Sequence, residues 1–292
     1  MSVVMPEDLA ALVAELPPVE VSLTAMRSRL ARLPEVLESL HAQSLRPRRI
    51  ILAISEDPFA LDEGITLAHL PRRILAMAEA GWLDILFTAN TGPYRKLVPW
   101  LQRNGRKERL VATADDDTIY PLGWLEALVR TYARQRCVVA HRCRAMTVKN
   151  GQFVPYREWP NLRLSEAAFG PVKPSARPLL TLPTGVRGVL YHSGFFEDAA
   201  LLARLASLAP LQDDLAFKAM MLCRGIGTVL ASRDGLEEMD WQFDTPKQPP
   251  DGLFRHNRTA NDEAWARILA MLESEGRWRL ADHLSEQGSS LR

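Results

Sequence analysis

An alternation of two periodicities limits what this chain can become. Between residues 19 and 140, short apolar or β-branched runs take turns with stretches whose apolar residues recur at helical spacing. Residues Val19–Thr24 alternate and are β-rich, whereas residues 49–54 are apolar beyond Arg49, as a strand covered on both faces must be. Leu30, Leu33, Val36, Leu37 and Leu40 mark one face of a helix between them. Residues 65–80 read as a second helix closed by Gly81, Leu83–Phe87 as a third strand and residues 94–102 as a short helix. A fourth strand over 109–113, a helix over 122–134 and a fifth strand over 137–140 complete the series. Such a sequence predicts an α/β fold, with helices flanking a mixed, mostly parallel central sheet joined by right-handed crossovers.

The pattern changes after residue 140. Residues 145–156 predict a hairpin turning at Asn150-Gly151. Residues 159–183 are rich in Pro and polar side chains and predict a flexible loop over a site. A glycine-punctuated strand is expected over 182–191, helices over 195–207 and 215–223, and a late strand over 226–230. A C-terminal helix is expected within 261–287, capped by Asn261 or Asp262, and residues 1–18 form a lead-in of low information. The whole, 1–292, is expected to be a single domain.

Composition excludes several classes. The 292 residues carry 47% hydrophobic and 24% charged side chains, the balance of a soluble globular protein. A net charge of +1 gives no field that would attract nucleic acid. Cys137, Cys143 and Cys223 have neither CxxC nor metal spacing and read as reduced thiols. No signal peptide and no transmembrane segment is recognised, so a cytoplasmic protein is expected, with peripheral attachment at the inner face of a membrane left open.

The fourth apolar run stops at Asp115-Asp116-Asp117, and Pro121 then precedes a helical pattern. Strand, acidic loop and helix is how an α/β sheet presents ligand-binding groups at its carboxyl edge. Three adjacent carboxylates repel one another; a hard divalent cation that also holds substrate phosphates would offset them. A solvated acidic turn is the alternative. A second carboxylate pair, Asp213-Asp214, precedes an apolar helix, where one member is expected to cap the helix N-terminus.

Five stretches carry a resemblance. They are residues 21–24 followed by Arg29; Gly92-Pro93-Tyr94-Arg95-Lys96-Leu97-Val98-Pro99; residues 113–121, holding the Asp triplet and Tyr120-Pro121; residues 183–191, holding Gly185 and Gly188; and residues 213–220. In this order they resemble the GT-A class of nucleotide-sugar-dependent glycosyltransferases, in particular bacterial members of polysaccharide and lipopolysaccharide synthesis. His192-Ser193-Gly194 stands where that class has Pro-Pro-Gly, and Asn90 where it often has an acid.

The resemblance implies transfer of a hexose from a nucleotide diphosphate sugar, a UDP-sugar by preference, to a saccharide acceptor, with Mn2+ or Mg2+ as cofactor. It implies Thr24, Arg29, Lys96, Asp115 and Asp116 on the donor side, and Gly185, Arg187 and Gly188 on the acceptor side. Metal contact falls to Asp117 and Asp115, with His256 as a late ligand. Asp214 is expected to be the general base and Asp213 its partner, with the reverse assignment open and inversion favoured over retention. For most of these residues a structural role competes: a surface arginine at 29, an exposed lysine at 96, a strand bend at Gly185 and Gly188, a surface histidine at 256. Two other functions stay in view. One is a nucleotidyltransferase on a similar scaffold, which would release pyrophosphate. The other is a non-catalytic glycan-binding protein.

Overall fold

The structure, a computed structural model, describes residues 11–60, 62–104, 107–163, 178–236, 238–245 and 253–284, apart from the side chains of 163, 253–259 and 284. The strands are β1 Val19–Thr24, β2 Ile50–Ile54, β3 Leu83–Phe87, β4 Leu110–Ala114, β5 Val138–Ala140, β6 Arg142–Ala145, β7 Val148–Lys149, β8 Gln152–Phe153, β9 Asn161–Arg163, β10 Thr181–Pro183, β11 Val189–His192 and β12 Thr228–Leu230. The helices are α1 Leu33–His41, α2 Arg72–Glu79, α3 Val98–Asn104, α4 Trp124–Gln135, α5 Ala199–Leu208, α6 Asp213–Cys223, α7 Leu253–Ser274 and α8 Leu280–Leu284.

The main sheet has the order β12-β5-β11-β4-β1-β2-β3. Its pairs are parallel except those of β11, which runs antiparallel between β4 and β5. The expected mixed, mostly parallel sheet is therefore present. Burial explains its composition. Ile50, Leu52 and Ile54 face a core shared with α1, α2 and α4, while Ile51 faces a second core shared with α3, α5, α6 and α7. Each face of β2 meets a packed layer, so neither face tolerates a polar side chain. The register Leu23↔Ala114 sets the carboxyl ends of β1 and β4 side by side. Thr24 and the Asp triplet consequently leave the sheet at the same edge.

Four expectations are corrected. The helix expected over 65–80 begins only at Arg72, because Pro71, with ψ 142°, holds the chain extended just before it. Gly81, at φ 82°, lies one residue past the cap Ala80, where a left-handed residue ends a helix. The single strand expected over 182–191 is two strands in different sheets. Arg187 and Gly188, at φ 70° and 92°, turn the chain between them, and successive left-handed residues do not continue a strand. β6 pairs with both β10 and β9 in a three-stranded sheet, so both flanks of the expected loop over 159–183 are strands; residues 164–177 lie outside the described residues. The terminal helix starts at Leu253 and stops after Ser274, where Gly276 at φ 62° breaks it before α8. Asn261 and Asp262 are thus interior, and the Asp262 carboxylate caps nothing; it accepts a hydrogen bond from the Tyr156 amide at 2.6 Å.

The hairpin at Asn150-Gly151 forms as expected, with β7 and β8 paired across residues at φ 51° and 75°. Among the described residues no helix is long and apolar enough to cross a membrane.

Candidate active site

A cavity of about 420 Å³ opens at the carboxyl edge of β1 and β4. Its walls come from that edge, the turn at 92–96, the start of α6, and the small sheet with the turn at 156–158.

The three aspartates leave β4 in different directions. Asp116 turns back into the protein: its carboxylate accepts from the Met26 amide at 2.8 Å and from Arg29 Nη1 at 2.6 Å. Asp117 meets the same guanidinium at 2.9 Å. Arg29 is thereby pinned between two carboxylates and held at the cavity wall. Asp115 faces the cavity. Its Oδ2 accepts from the Arg187 amide at 3.2 Å, and its own amide donates to the Tyr120 hydroxyl at 2.6 Å. Burial, reinforced by the charges of Asp117 and Asp116 and opposed by Lys96, pushes the Asp115 carboxyl up to about 7. Beside it the Thr24 hydroxyl oxygen is buried with no hydrogen-bond partner among the described residues.

Lys96 leaves the Gly92-Pro93 turn and crosses to α6. Its ammonium lies 2.7 Å from Asp213 Oδ2 and 4.0 Å from Asp214 Oδ1. Burial works against that charge, but Asp213, Asp214 and Asp115 outweigh it and hold the Lys96 pKa above its ordinary value. Asp214 is seated by backbone: both carboxylate oxygens accept from the Gly185 amide at 3.0 Å. Burial and the adjacent Asp213 charge push the Asp214 carboxyl up to about 6. A Cβ at position 185 would lie 2.6 Å from Lys96 Nζ and 3.3 Å from Asp214 Oδ1, so this position suits a glycine. Neither aspartate caps α6, contrary to expectation. Gln212 occupies the cap position and makes no side-chain cap bond, while the two carboxylates, inside the first turn, are engaged by Lys96 and the Gly185 amide.

Thr24, Arg29, Lys96, Asp115, Asp116, Gly185, Asp213 and Asp214 thus share one cavity. Three expected residues stand one layer back. Asp117 is tied to Arg29. The Arg187 guanidinium stacks over Phe243 at 4.6 Å, and this residue serves the site through its amide. Gly188 packs where a Cβ would meet Trp124 Cζ2 at 2.6 Å and the Thr113 carbonyl at 2.9 Å. The side chain of His256 lies outside the described residues.

Several wall residues escaped the sequence reading. Arg95 is buried and pairs with Asp62 at 2.6 Å; Asp62 also lies 3.5 Å from Asn90, bringing a carboxylate to that place from another segment. Arg142, Arg144 and Arg157 form the far wall. The spacing Arg142-Cys143-Arg144 was the available signal, since alternate residues of a strand share a face. His192 and Ser193, which replace the expected prolines, are structural: His192 Nδ1 accepts from the Gly194 amide and Ser193 Oγ donates to the Lys107 carbonyl.

The chain has a GT-A fold. Its backbone is similar to that of S. aureus TarS 1–349 in complex with UDP-GlcNAc, with a TM-score of 0.52 and 13% identity over 88% of this chain and 66% of that one. It is also similar to glucosyl-3-phosphoglycerate synthase from Mycobacterium tuberculosis in complex with Mn2+, UDP and phosphoglyceric acid, with a TM-score of 0.50 and 15% identity over 92% and 84%. Against a second crystal structure of the TarS fragment the chain spans 58% of that fragment's length. No protein-family profile and no curated protein sequence matches the chain.

Proposed function

We propose that this chain is a metal-dependent glycosyltransferase that moves a hexose from a UDP-sugar to a saccharide acceptor, acting as a single domain. The observation that carries this reading is the pairing across one cavity of Asp115, beside Thr24 and Arg29, with Asp214, seated on the Gly185 amide. The first group of residues suits a nucleotide diphosphate and the second suits an attacking hydroxyl. That two solved structures of the same fold hold UDP or UDP-GlcNAc supports uracil as the base.

The donor set fits a hard divalent cation. Among the described residues no three His, Cys, Asp or Glu side chains converge into a complete cage. None is required, since Mg2+ is commonly held by one or two carboxylates with waters and substrate phosphates, and Mn2+ takes the same oxygen donors. Asp115 supplies the buried, under-compensated carboxylate such an ion needs, and Asp117 follows two residues on. Asp115 would hold it, Asp117 would join by exchanging its contact with Arg29 for the ion, and His256 would be a further ligand. Bound there, the ion supplies Lewis-acid stabilisation of the pyrophosphate charge.

The chain's own residues account for the rest. Arg29 and Lys96 bring positive charge to the donor phosphates. Asp214 takes the proton of the acceptor hydroxyl as its oxygen bonds to the anomeric carbon, and the bond to the phosphate oxygen breaks with its electron pair leaving on UDP. Asp213 is the weaker candidate for base because Lys96 occupies it, and it is 9% exposed against 26% for Asp214. A direct in-line attack of this kind inverts the anomeric centre.

The test is turnover of a panel of nucleotide sugars with and without Mn2+. The reading predicts release of UDP, a metal requirement, and a loss of about 10²–10⁴-fold in turnover for Asp214→Asn. Release of pyrophosphate instead of UDP would make the protein a nucleotidyltransferase. Metal-independent saccharide binding without turnover would make it a glycan-binding protein.

A further inference from the structure

The charges around the cavity do not cancel pair by pair. Arg29 is matched by Asp116 and Asp117, Arg95 by Asp62, and Lys96 by Asp213. On the wall built by β6 and the 156–158 turn, Arg144 and Arg157 have no carboxylate partner among the described residues. Arg157 is exposed and makes no hydrogen bond there. Arg144 is 7% exposed, and its Nε is buried without a partner. Its guanidinium lies 4.7 Å over the Tyr156 ring while Nη1 donates to the Trp159 carbonyl at 2.9 Å. A buried cation held only by a ring and carbonyls keeps most of its desolvation cost.

This wall adjoins the proposed base. Arg142, which donates to Thr184 and Asn161, lines the cavity with Asp214, and its charge opposes part of the rise that burial and Asp213 impose on that carboxyl. Tyr156 feels Asp214 and Arg144 together. The backbone of the turn is fixed by the bond from the Tyr156 amide to Asp262 on α7, so Arg157 is presented from an anchored segment.

We infer that the Arg144–Arg157 wall is a subsite for an anionic group, phosphate or carboxylate, carried by the acceptor near its reacting hydroxyl. This rests on the glycosyltransferase reading of the same cavity. Guanidinium forks match both kinds of anion, and neither arginine belongs to the β1–β4 edge where the donor phosphates are assigned. The subsite anchors the acceptor by its charge and leaves the neighbouring hydroxyl for Asp214.

The test titrates glycerol 3-phosphate, glycerate and glycerol separately into the full chain saturated with UDP and Mn2+, followed by calorimetry. At least one of the two anions binds, and glycerol gives no heat. Which anion binds identifies the group. Arg157→Gln and Arg144→Lys each weaken that binding about tenfold, the value of a charge-assisted hydrogen bond, while UDP affinity stays the same. Arg157→Gln removes an exposed side chain without structural bonds, so folding does not confound it. Equal binding of glycerol, absence of anion binding, unchanged anion affinity in both variants, or displacement of UDP by the anion would overturn the inference. Failure of UDP itself to bind would instead overturn the donor reading, and this inference with it.

Discussion

Asp213 and Asp214 are adjacent in sequence yet differ in what touches them. Lys96 takes Asp213, and the Gly185 amide takes Asp214. With its carboxyl at about 6, Asp214 should be ionised across the upper physiological range, so kcat should rise with pH through about 6 and level off above it. A flat profile from pH 5 to 8 would deny it the role. Gly185→Ala tests the seat itself. The added methyl displaces the flexible end of Lys96, so the fold should persist with little change in Tm. Turnover should nevertheless fall by as much as about 10²-fold through misplacement of Asp214, read in the same assay. At this scale the Asp triplet, Lys96 and Asp213-Asp214 were legible because strand ends and charge runs are local features. The division of labour within the triplet was not. Nothing in the sequence says that Asp116 turns inward to the Met26 amide, since that partner is 90 residues away.

Elements were read well where one periodicity ran uninterrupted. β1, β2 and β3 and the Asn150-Gly151 hairpin are of this kind. Elements were misread where a left-handed residue interrupts a composition that still looks regular. The turn at Arg187-Gly188 divides β10 from β11, and Gly276 ends α7. The three-stranded sheet had no local signature, because β6, β9 and β10 come from separate parts of the chain. Arg144 and the 156–158 turn depend on it, and Trp159 locks the assembly. The Trp159 indole is buried among Phe153, Tyr156 and Trp265, and the Trp159 backbone carbonyl accepts from Arg144. Trp159→Ala should therefore cost about 3–5 kcal/mol of stability, measured by urea unfolding. A loss within the range of a surface substitution would mean that this cluster does not anchor the small sheet.

For the molecule as a whole, the buried carboxylates set a pH dependence whose sign is fixed. Asp115 and Asp214 stand at about 7 and about 6, above the ordinary 3.8. A raised carboxyl pKa means the folded chain binds protons more tightly than the unfolded one. The stability this supplies is complete below the unfolded pKa and is lost as pH rises through the folded value. Without metal, the urea midpoint should fall between about pH 4 and 7 by this contribution. Asp115→Asn removes its share, so the variant should gain on the wild type as pH rises; an equal midpoint difference at pH 5 and pH 8 would contradict this. A cation at Asp115 favours the ionised form, so Mn2+ with UDP should restore stability at the upper end of the range.

The central claim is that a divalent ion joins Asp115 and Asp117 to a nucleotide diphosphate, and calorimetric titration of UDP into the wild type and Asp117→Ala tests it most directly. UDP should bind the wild type only with Mn2+ present, and the variant should lose about tenfold or more in affinity. Equal affinity in both proteins, with or without the metal, would contradict the account.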